Sequence, residues 1–359
     1  MAHIQLRNIT KKFGEHTALR GLDLEIADGE FFVLLGQTGA GKTTTLRLIA
    51  GLEKPTEGQI FIDGVDVGDW GAAERDVALV LQQYSLYPRY TVRENLEFPL
   101  KPKLRRVEPA EIKERVARAA RTLRIEHLLD RKTDRLSGGE MQRVSIGRAI
   151  VRKPRVFLMD EPLSALDAKL REALRTELKN LQMTLGATFL FVTHDQIEAM
   201  SMGDKIGVLD RGRLVQTGTP QEIYNNPRNT FVARSVGSPP MNLVEGRLVG
   251  GRAVVAPGNF ELPLNGQVAS AAEGRPLIFG IRPEDIFVEP GAPIAAMIHD
   301  VENHGVEKIL TLVAGEATLR ATVPARMNVA VDETVSFAWN PEKVLLFDSA
   351  SGLSLRHAG

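Results

Sequence analysis

The sequence predicts an α/β domain with a parallel sheet covered by helices, followed by a smaller all-β domain. Three observations predict this. Apolar strand-like runs alternate with helix-like stretches as far as about Arg234. Beyond Gly237-Ser238-Pro239-Pro240 the texture becomes short β-rich runs broken by Gly and Pro, and Ser-Pro-Pro suits a boundary better than regular structure. The charge shifts at the same place. Val236 to Gly359 holds 9 basic and 14 acidic residues, although the whole chain balances 45 against 45. The expected domains are therefore 1–235 and 236–359. A chain of 359 residues lets each bury a core of its own.

Each element has its own signal. Phe31 to Leu35 is a short apolar run ending at Gly36, as a buried strand would be. Thr43 to Ala50 reads as a helix stopped by Gly51. Gln59 to Ile62, followed by Asp63-Gly64, reads as a hairpin. Pro109 can open a helix in which Ile112, Val116, Ala119 and Leu123 recur at helical spacing. Val156 to Met159 and Phe189 to Val192 are further buried strands, separated by a helical stretch from Ala168 to Thr184. That alternation implies parallel pairing. Leu277 to Phe279, Ile286 to Val288 and Val344 to Phe347 suggest a small barrel or sandwich.

Composition excludes several classes. The chain has no cysteine, which rules out disulfides, thiol catalysis and cysteine-ligated zinc or iron–sulfur sites. Zero net charge gives no support to a nucleic-acid binder. No apolar run approaches the length of a membrane span, and Met1 to Gly14 lacks the apolar core of a secretory signal. The expected compartment is the cytoplasm.

Gly36-Gln37-Thr38-Gly39-Ala40-Gly41-Lys42-Thr43 fits the phosphate-loop pattern G-x-x-x-x-G-K-[ST], with a strand before it and a helix after it. Its glycines let the backbone fold around phosphate oxygens, and the helix adds its positive end. Lys42 would reach the β and γ phosphates, and the Thr43 hydroxyl would bind Mg²⁺. Asp160-Glu161-Pro162 ends a buried strand, where α/β sheets place ligands. Asp160 suits the Mg²⁺ shell, and Glu161 could orient or deprotonate an attacking water. Taken alone, that acidic pair could equally be a solvated strand end. Leu136-Ser137-Gly138-Gly139 before a helix offers another set of N–H groups, although Ser-Gly-Gly alone reads as a loop. His194, at the end of Phe189 to Val192, is either a γ-phosphate contact or a solvated histidine. Gln82 and Gln83 precede Tyr84-Ser85-Leu86-Tyr87-Pro88, a polar loop with an aromatic patch.

In this order, and with Ser164-Ala165-Leu166-Asp167 and Thr193-His194-Asp195, these motifs resemble the ATPase subunit of an ABC transporter over essentially the whole chain. Tyr84 to Pro88, Gly237 to Asn242 and Gly280-Ile281-Arg282-Pro283-Glu284-Asp285 narrow the resemblance to carbohydrate importers of the maltose and glycerol-3-phosphate kind. The resemblance implies a P-loop ABC-type nucleotide-binding domain with a C-terminal OB-like (TOBE-type) domain that stabilises a dimer and can receive regulatory contacts. It implies that Phe13 stacks on adenine, and that Gly36, Gly39, Ala40, Gly41, Lys42, Thr43 and Thr44 bind ATP and Mg²⁺. Gln82 would sense Mg²⁺ and the attacking water, Asp160 would hold Mg²⁺ through water, and Glu161 would be the general base. His194 would contact the γ-phosphate. Ser137, Gly138 and Gly139 would serve the nucleotide on the opposite subunit, in a homodimer or a heterodimer with a second ABC ATPase. Tyr84 to Pro88 would touch transmembrane permease subunits, placing the chain peripherally on the cytoplasmic face of the cell (inner) membrane, with a solute-binding protein as an indirect partner.

Four stretches depart from the family pattern. Gln37-Thr38 replaces Pro-Ser, Leu81 stands where Phe is usual, and His304-Gly305-Val306 differs in the C-terminal domain. Glu140-Met141 replaces a Gln followed by a polar residue, and Glu140 puts a negative charge near the opposite nucleotide unless it turns away. The expected function is carbohydrate import driven by ATP hydrolysis. Polyamine, glycerol, osmolyte or oxyanion import is one alternative, since the ATPase does not touch the cargo. A soluble non-transport ABC ATPase is another, against which stands a single cassette without long heptads.

Overall fold

The apolar run Phe31–Leu35 forms β3 near the middle of a six-stranded sheet. The computed structural model describes residues 2–102, 107–164, 166–255, 260–264 and 274–357. In sheet order the strands are β10 (Arg213–Gly218), β9 (Lys205–Asp210), β3, β8 (Thr188–Thr193), β7 (Val156–Asp160) and β6 (Val77–Val80). From β9 to β6 all pairings are parallel, and only β10 runs back antiparallel. Every residue of β3, β7 and β8 is buried, as strands covered on both faces require. Phe189 stacks on Phe31 and Phe157, with ring centroids 5.3 and 4.5 Å apart, tying these strands together.

The register decides where the site lies. Leu35 pairs with Thr193, Asp160 with Val192, and Val80 with Met159. The carboxyl ends of β3, β8, β7 and β6 therefore finish nearly level, and Gly36, His194, Glu161 and Gln82 follow them. Helix α1 (Lys42–Ile49) packs on β7 and β8. Arg75, 3% exposed, fastens its far end by donating to the carbonyl oxygens of Leu48 and Ile49 at 2.7 and 3.1 Å. Those are carbonyls of the last turn, which have no i+4 amide within the helix. Helices α3 (Pro109–Thr122) and α5 (Ala168–Leu185) form where the periodicity predicts them, and α4 (Gly138–Ile150) starts directly after Ser137.

A second, antiparallel sheet has the order β2 (His16–Ile26), β1 (Ile4–Phe13), β4 (Glu57–Ile62), β5 (Val65–Asp66). Asp63 and Gly64 both have positive φ, 52° and 76°, which is what a tight two-residue hairpin turn needs. The β1–β2 hairpin is not among the sequence expectations. Register shifts between Leu6 and Ile9 and between Ile9 and Lys11 break the alternation that would announce β1.

Contacts divide the chain into two compact units, Met1–Pro220 and Gln221–Gly359. The second carries two antiparallel five-stranded sheets. One has the order β13 (Phe260–Pro263), β12 (Arg252–Val255), β11 (Asn242–Val249), β14 (Pro276–Ile281), β20 (Leu345–Asp348). The other has the order β15 (Ile286–Val288), β19 (Thr334–Trp339), β16 (Ile294–Asn303), β17 (Glu307–Ala314), β18 (Ala317–Pro324). Inward residues of both, among them Phe279, Leu310, Leu312 and Phe337, share one core, as in a sandwich. The unit opens before residue 236 for a local reason. Helix α8 (Thr230–Ser235) buries Ala233 with Met241, Leu345 and Phe347. Buried Arg282 donates to the carbonyls of Tyr224 and Val236, both at 2.6 Å, and lies 3.8 Å over the Tyr224 ring.

Candidate nucleotide site

The loop from Gly36 to Gly41 joins β3 to α1. Gly41 has φ 109° and caps α1 without a side chain, and the first turn of α1 holds no acidic residue. A side chain there would also strike the Ala18 carbonyl, 2.8 Å from where a Cβ would stand. The positive end of α1 is thus left bare, as an anion site needs. Ala40 closes a turn by donating its N–H to the Gln37 carbonyl at 3.1 Å. The Lys42 ammonium is turned inward. It donates to the carbonyls of Gly36 at 2.8 Å and Gln37 at 3.0 Å, and pairs with Glu161 Oε1 at 3.2 Å.

Asp160 and Glu161 point apart, and backbone geometry is the reason. Asp160 is the last residue of β7, whereas Glu161 has φ 44°, unusual for a non-glycine residue. The Glu161 N–H donates to the Val192 carbonyl at 3.1 Å, and the Ser164 hydroxyl donates to the Glu161 carbonyl at 2.9 Å. These bonds hold the turn that swings the carboxylate over β8. Its Oε2 then lies 2.9 Å from His194 Nδ1, while Oε1 holds Lys42. One carboxylate therefore joins two of the expected site residues. Asp160 faces α1, accepting the Thr43 hydroxyl at 3.0 Å. Burial pushes its carboxyl up from the usual range, with the charge of Glu161 adding to the effect. A buried carboxylate beside a hydroxyl is an oxygen donor pair suited to Mg²⁺, which binds through one or two carboxylates plus substrate phosphates. Among the described residues no group of three or more His, Cys, Asp or Glu could hold a metal by itself.

The Ser137 cluster is separate. Ser137 caps α4, and Glu140 completes a capping box. The Ser137 N–H and hydroxyl donate to Glu140 Oε2 at 2.7 and 2.8 Å, and the Glu140 N–H donates back to Ser137 Oγ at 3.4 Å. Glu140 thus turns back on its own helix. Hydrogen bonds from Ser137 hold its carboxyl below the usual range. Gly139 is needed for packing: a Cβ there would sit 2.3 Å from Leu170 Cδ2 of α5. Among the described residues no hydrogen bond or ion pair joins this cluster to Lys42, Glu161 or His194.

Gln82 is exposed on the turn after β6, at the same sheet edge as Asp160. Phe13 ends β1 with 43% exposure and carries the Lys11 ammonium 4.7 Å over its ring. Thr44 lies half-buried in the first turn of α1. The aromatic segment lines a groove of about 230 Å³ with Leu81, Tyr84, Tyr87, Phe98, Arg148 and Arg152. The Arg148 guanidinium lies 4.6 Å over Tyr87 and donates to the Ser85 carbonyl at 2.5 Å. The sequence reading missed the support behind His194. Buried Glu198 accepts the Thr193 hydroxyl at 2.5 Å, and the same oxygen of Thr193 accepts the Asp195 N–H at 2.9 Å. A carboxylate one helical turn after Thr-His-Asp, in an apolar helix, is the signal that could have found it.

Sheet, loop and strand-end acids together define a class, the P-loop ATPases of the ABC type. A family model for ABC transporters matches residues 19–164, a MalK OB fold domain matches 237–286 and a TOBE domain matches 279–347. The trehalose/maltose import ATP-binding protein MalK of Thermococcus litoralis is 47% identical over 99% of this chain and 100% of its own length. The sn-glycerol-3-phosphate import ATP-binding protein UgpC of Ruegeria pomeroyi is 42% identical over 98% and 99%. Among solved structures, the dimeric post-hydrolysis state of the ATP-binding cassette MJ0796 bound to ADP and Pi has a TM-score of 0.55 and 35% identity. That likeness covers 60% of this chain and 98% of the cassette. The chain belongs to the ATP-binding subunits of ABC transporters. Its ABC-type cassette carries a C-terminal all-β OB/TOBE region, and no helix of the described residues is long and apolar enough to cross a membrane.

Proposed function

We propose that this chain is the ATPase subunit of a carbohydrate importer, acting at the cytoplasmic face of the cell membrane as one half of an ATPase pair bound to permease subunits. The observation that carries the reading is the Glu161 junction, in which one carboxylate meets both Lys42 and His194 beside the Thr43–Asp160 pair. In that arrangement the bare start of α1, Gly39, Gly41, Lys42 and Thr44 bind the phosphates, and Lys42 leaves Glu161 to do so. Glu161, freed from Lys42 and oriented by His194, takes the proton of the attacking water. Gln82 lies at the same sheet edge to orient that water, and Phe13 offers an exposed ring to adenine. Thr43 and Asp160 would hold Mg²⁺, which when bound neutralises phosphate charge as the terminal phosphoryl group leaves. Ser137, Gly138 and Gly139 meet the nucleotide of the facing subunit, an identical copy or a second ABC ATPase.

Residues 1–235 carry this chemistry and 236–359 serve dimer stability and regulation. The aromatic groove from Leu81 to Arg152 receives the permease, an apolar and cationic surface suited to a helical segment. The MalK relative, similar from end to end, favours a carbohydrate cargo, and the UgpC relative keeps glycerol-3-phosphate as the second reading.

The test is affinity purification of the tagged chain from its own detergent-solubilised membranes, with identification of every co-purifying subunit. Recovery of a permease supports the importer. The solute-binding partner, titrated with sugars and with glycerol-3-phosphate, then reads the cargo. A soluble complex without permease overturns the transport reading.

A further inference from the structure

Two helix starts in the first unit are treated oppositely. The start of α1 has no side-chain cap and no acidic residue. That of α4 is filled by the chain's own carboxylate, since Glu140 Oε2 takes both the N–H and the hydroxyl of Ser137, at 2.7 and 2.8 Å. Serine has a single hydroxyl proton. While that proton points to Glu140, it cannot point to a phosphate oxygen. Arg131 forms a long ion pair with the other carboxylate oxygen, Nη1 3.9 Å from Oε1, which leaves Oε2 on Ser137. The same box at α2 (Val92–Glu97), made by Thr91 and Glu94, shows that the motif also serves as a plain cap. What distinguishes α4 is that its capping serine belongs to the pair-forming site.

We propose that Glu140 is a positioning residue that opposes closure of the nucleotide sandwich, by engaging Ser137 internally and by holding a negative charge where the facing triphosphate arrives. The proposal rests on the paired-ATPase reading above. It makes Glu140 a setting for how much ATP the pair needs, separate from the chemistry at Glu161. Glutamine is the discriminating replacement, because its carbonyl oxygen can still accept the Ser137 N–H and keep the cap. An anion at a helix start interacts strongly enough to shift an equilibrium roughly two- to fivefold.

The experiment measures MgATP-dependent dimerisation of the full chain by sedimentation, in the Glu161→Gln background, with Glu140, Glu140→Gln and Glu140→Ala. It is paired with ATP titration of hydrolysis in chains that retain Glu161, and with thermal melting. Glu140→Gln is expected to close the dimer at roughly two- to fivefold less ATP. Half-saturating ATP should fall by more than kcat changes, and the difference should shrink at high salt. Glu140→Ala is expected to melt lower through loss of the cap. Equal ATP requirement for Glu140 and Glu140→Gln, with only the alanine variant impaired, would overturn the proposal and leave Glu140 as a cap. If the chain binds a fluorescent ATP analogue but no variant dimerises, the paired-site reading falls too. Loss of analogue binding in every variant would instead point to failure of the Lys42 site.

Discussion

Replacing Lys42 with alanine removes a buried ammonium shared by three oxygens, at 2.8, 3.0 and 3.2 Å. The lysine side chain is 5% exposed and that of Glu161 15%. At an effective dielectric of about 20, a pair 3.2 Å apart gains roughly 5 kcal/mol of gross attraction. Desolvation of both ions offsets most of it, so the pair itself stabilises the fold little. Losing Lys42 is different, because it leaves the half-buried Glu161 carboxylate without that partner; such losses cost about 3–5 kcal/mol where the remaining charge is buried. Glu161 keeps His194 at 2.9 Å, so the lower end applies, about 3 kcal/mol. For a unit as long as Met1–Pro220, each kcal/mol moves the melting temperature by about 2–4 °C. The expected fall is therefore about 6–12 °C, by calorimetry of the full chain without nucleotide. Lys42→Ala should also lose binding of a fluorescent ATP analogue and most hydrolysis. Adding Glu161→Ala should recover part of the lost stability, since the orphaned carboxylate goes with it. An unchanged melting temperature would refute the energetic argument, and wild-type turnover would remove Lys42 from the site.

Three further outcomes are expected. Glu161→Gln should retain ATP binding while hydrolysis falls by about 10²–10⁴, leaving a nucleotide-bound dimer on sedimentation; normal turnover would exclude Glu161 as the base. Ser137→Arg should abolish ATP-dependent dimerisation yet keep analogue binding at the Lys42 loop, whereas joint loss of both would indicate misfolding. Glu198→Gln should raise the melting temperature at neutral pH, because burial holds the Glu198 carboxyl above its usual range while glutamine still accepts the Thr193 hydroxyl. The sign follows from linkage: the protonated carboxyl favours the fold below its unfolded pKa of about 4.3, and that stability is lost as pH rises through the higher folded value. The variant's advantage should thus vanish in acid, and a gap that persists there would contradict burial as the cause.

Much of this was legible because local chemistry and long-range packing agree. Phe31 to Leu35, Val156 to Met159 and Phe189 to Val192 are apolar throughout, since a parallel strand buried on both faces can present nothing else. The phosphate loop showed through Gly41 and Lys42 because a helix start open to anions demands particular residues at fixed spacing. The β1–β2 hairpin stayed hidden because bulges interrupt its alternation, and Glu198 because a carboxylate on a helix looks solvated until its surroundings are known. The placement of α8 was equally invisible: its contacts with Leu345 and Phe347 lie more than a hundred residues away in the chain.

The candidate site residues, the buried strands that carry them and the family to which they point were therefore legible in the sequence alone. The tertiary structure decided their relations. It set the carboxyl ends of the parallel strands level through register, turned Glu161 through a positive φ so that one carboxylate meets Lys42 and His194, and folded Glu140 back onto Ser137. The reason is physical. Residue type and spacing record which groups a chemistry needs, whereas distances among groups from Gly36 to His194 arise only when the sheet closes its hydrogen bonds and the core packs around it.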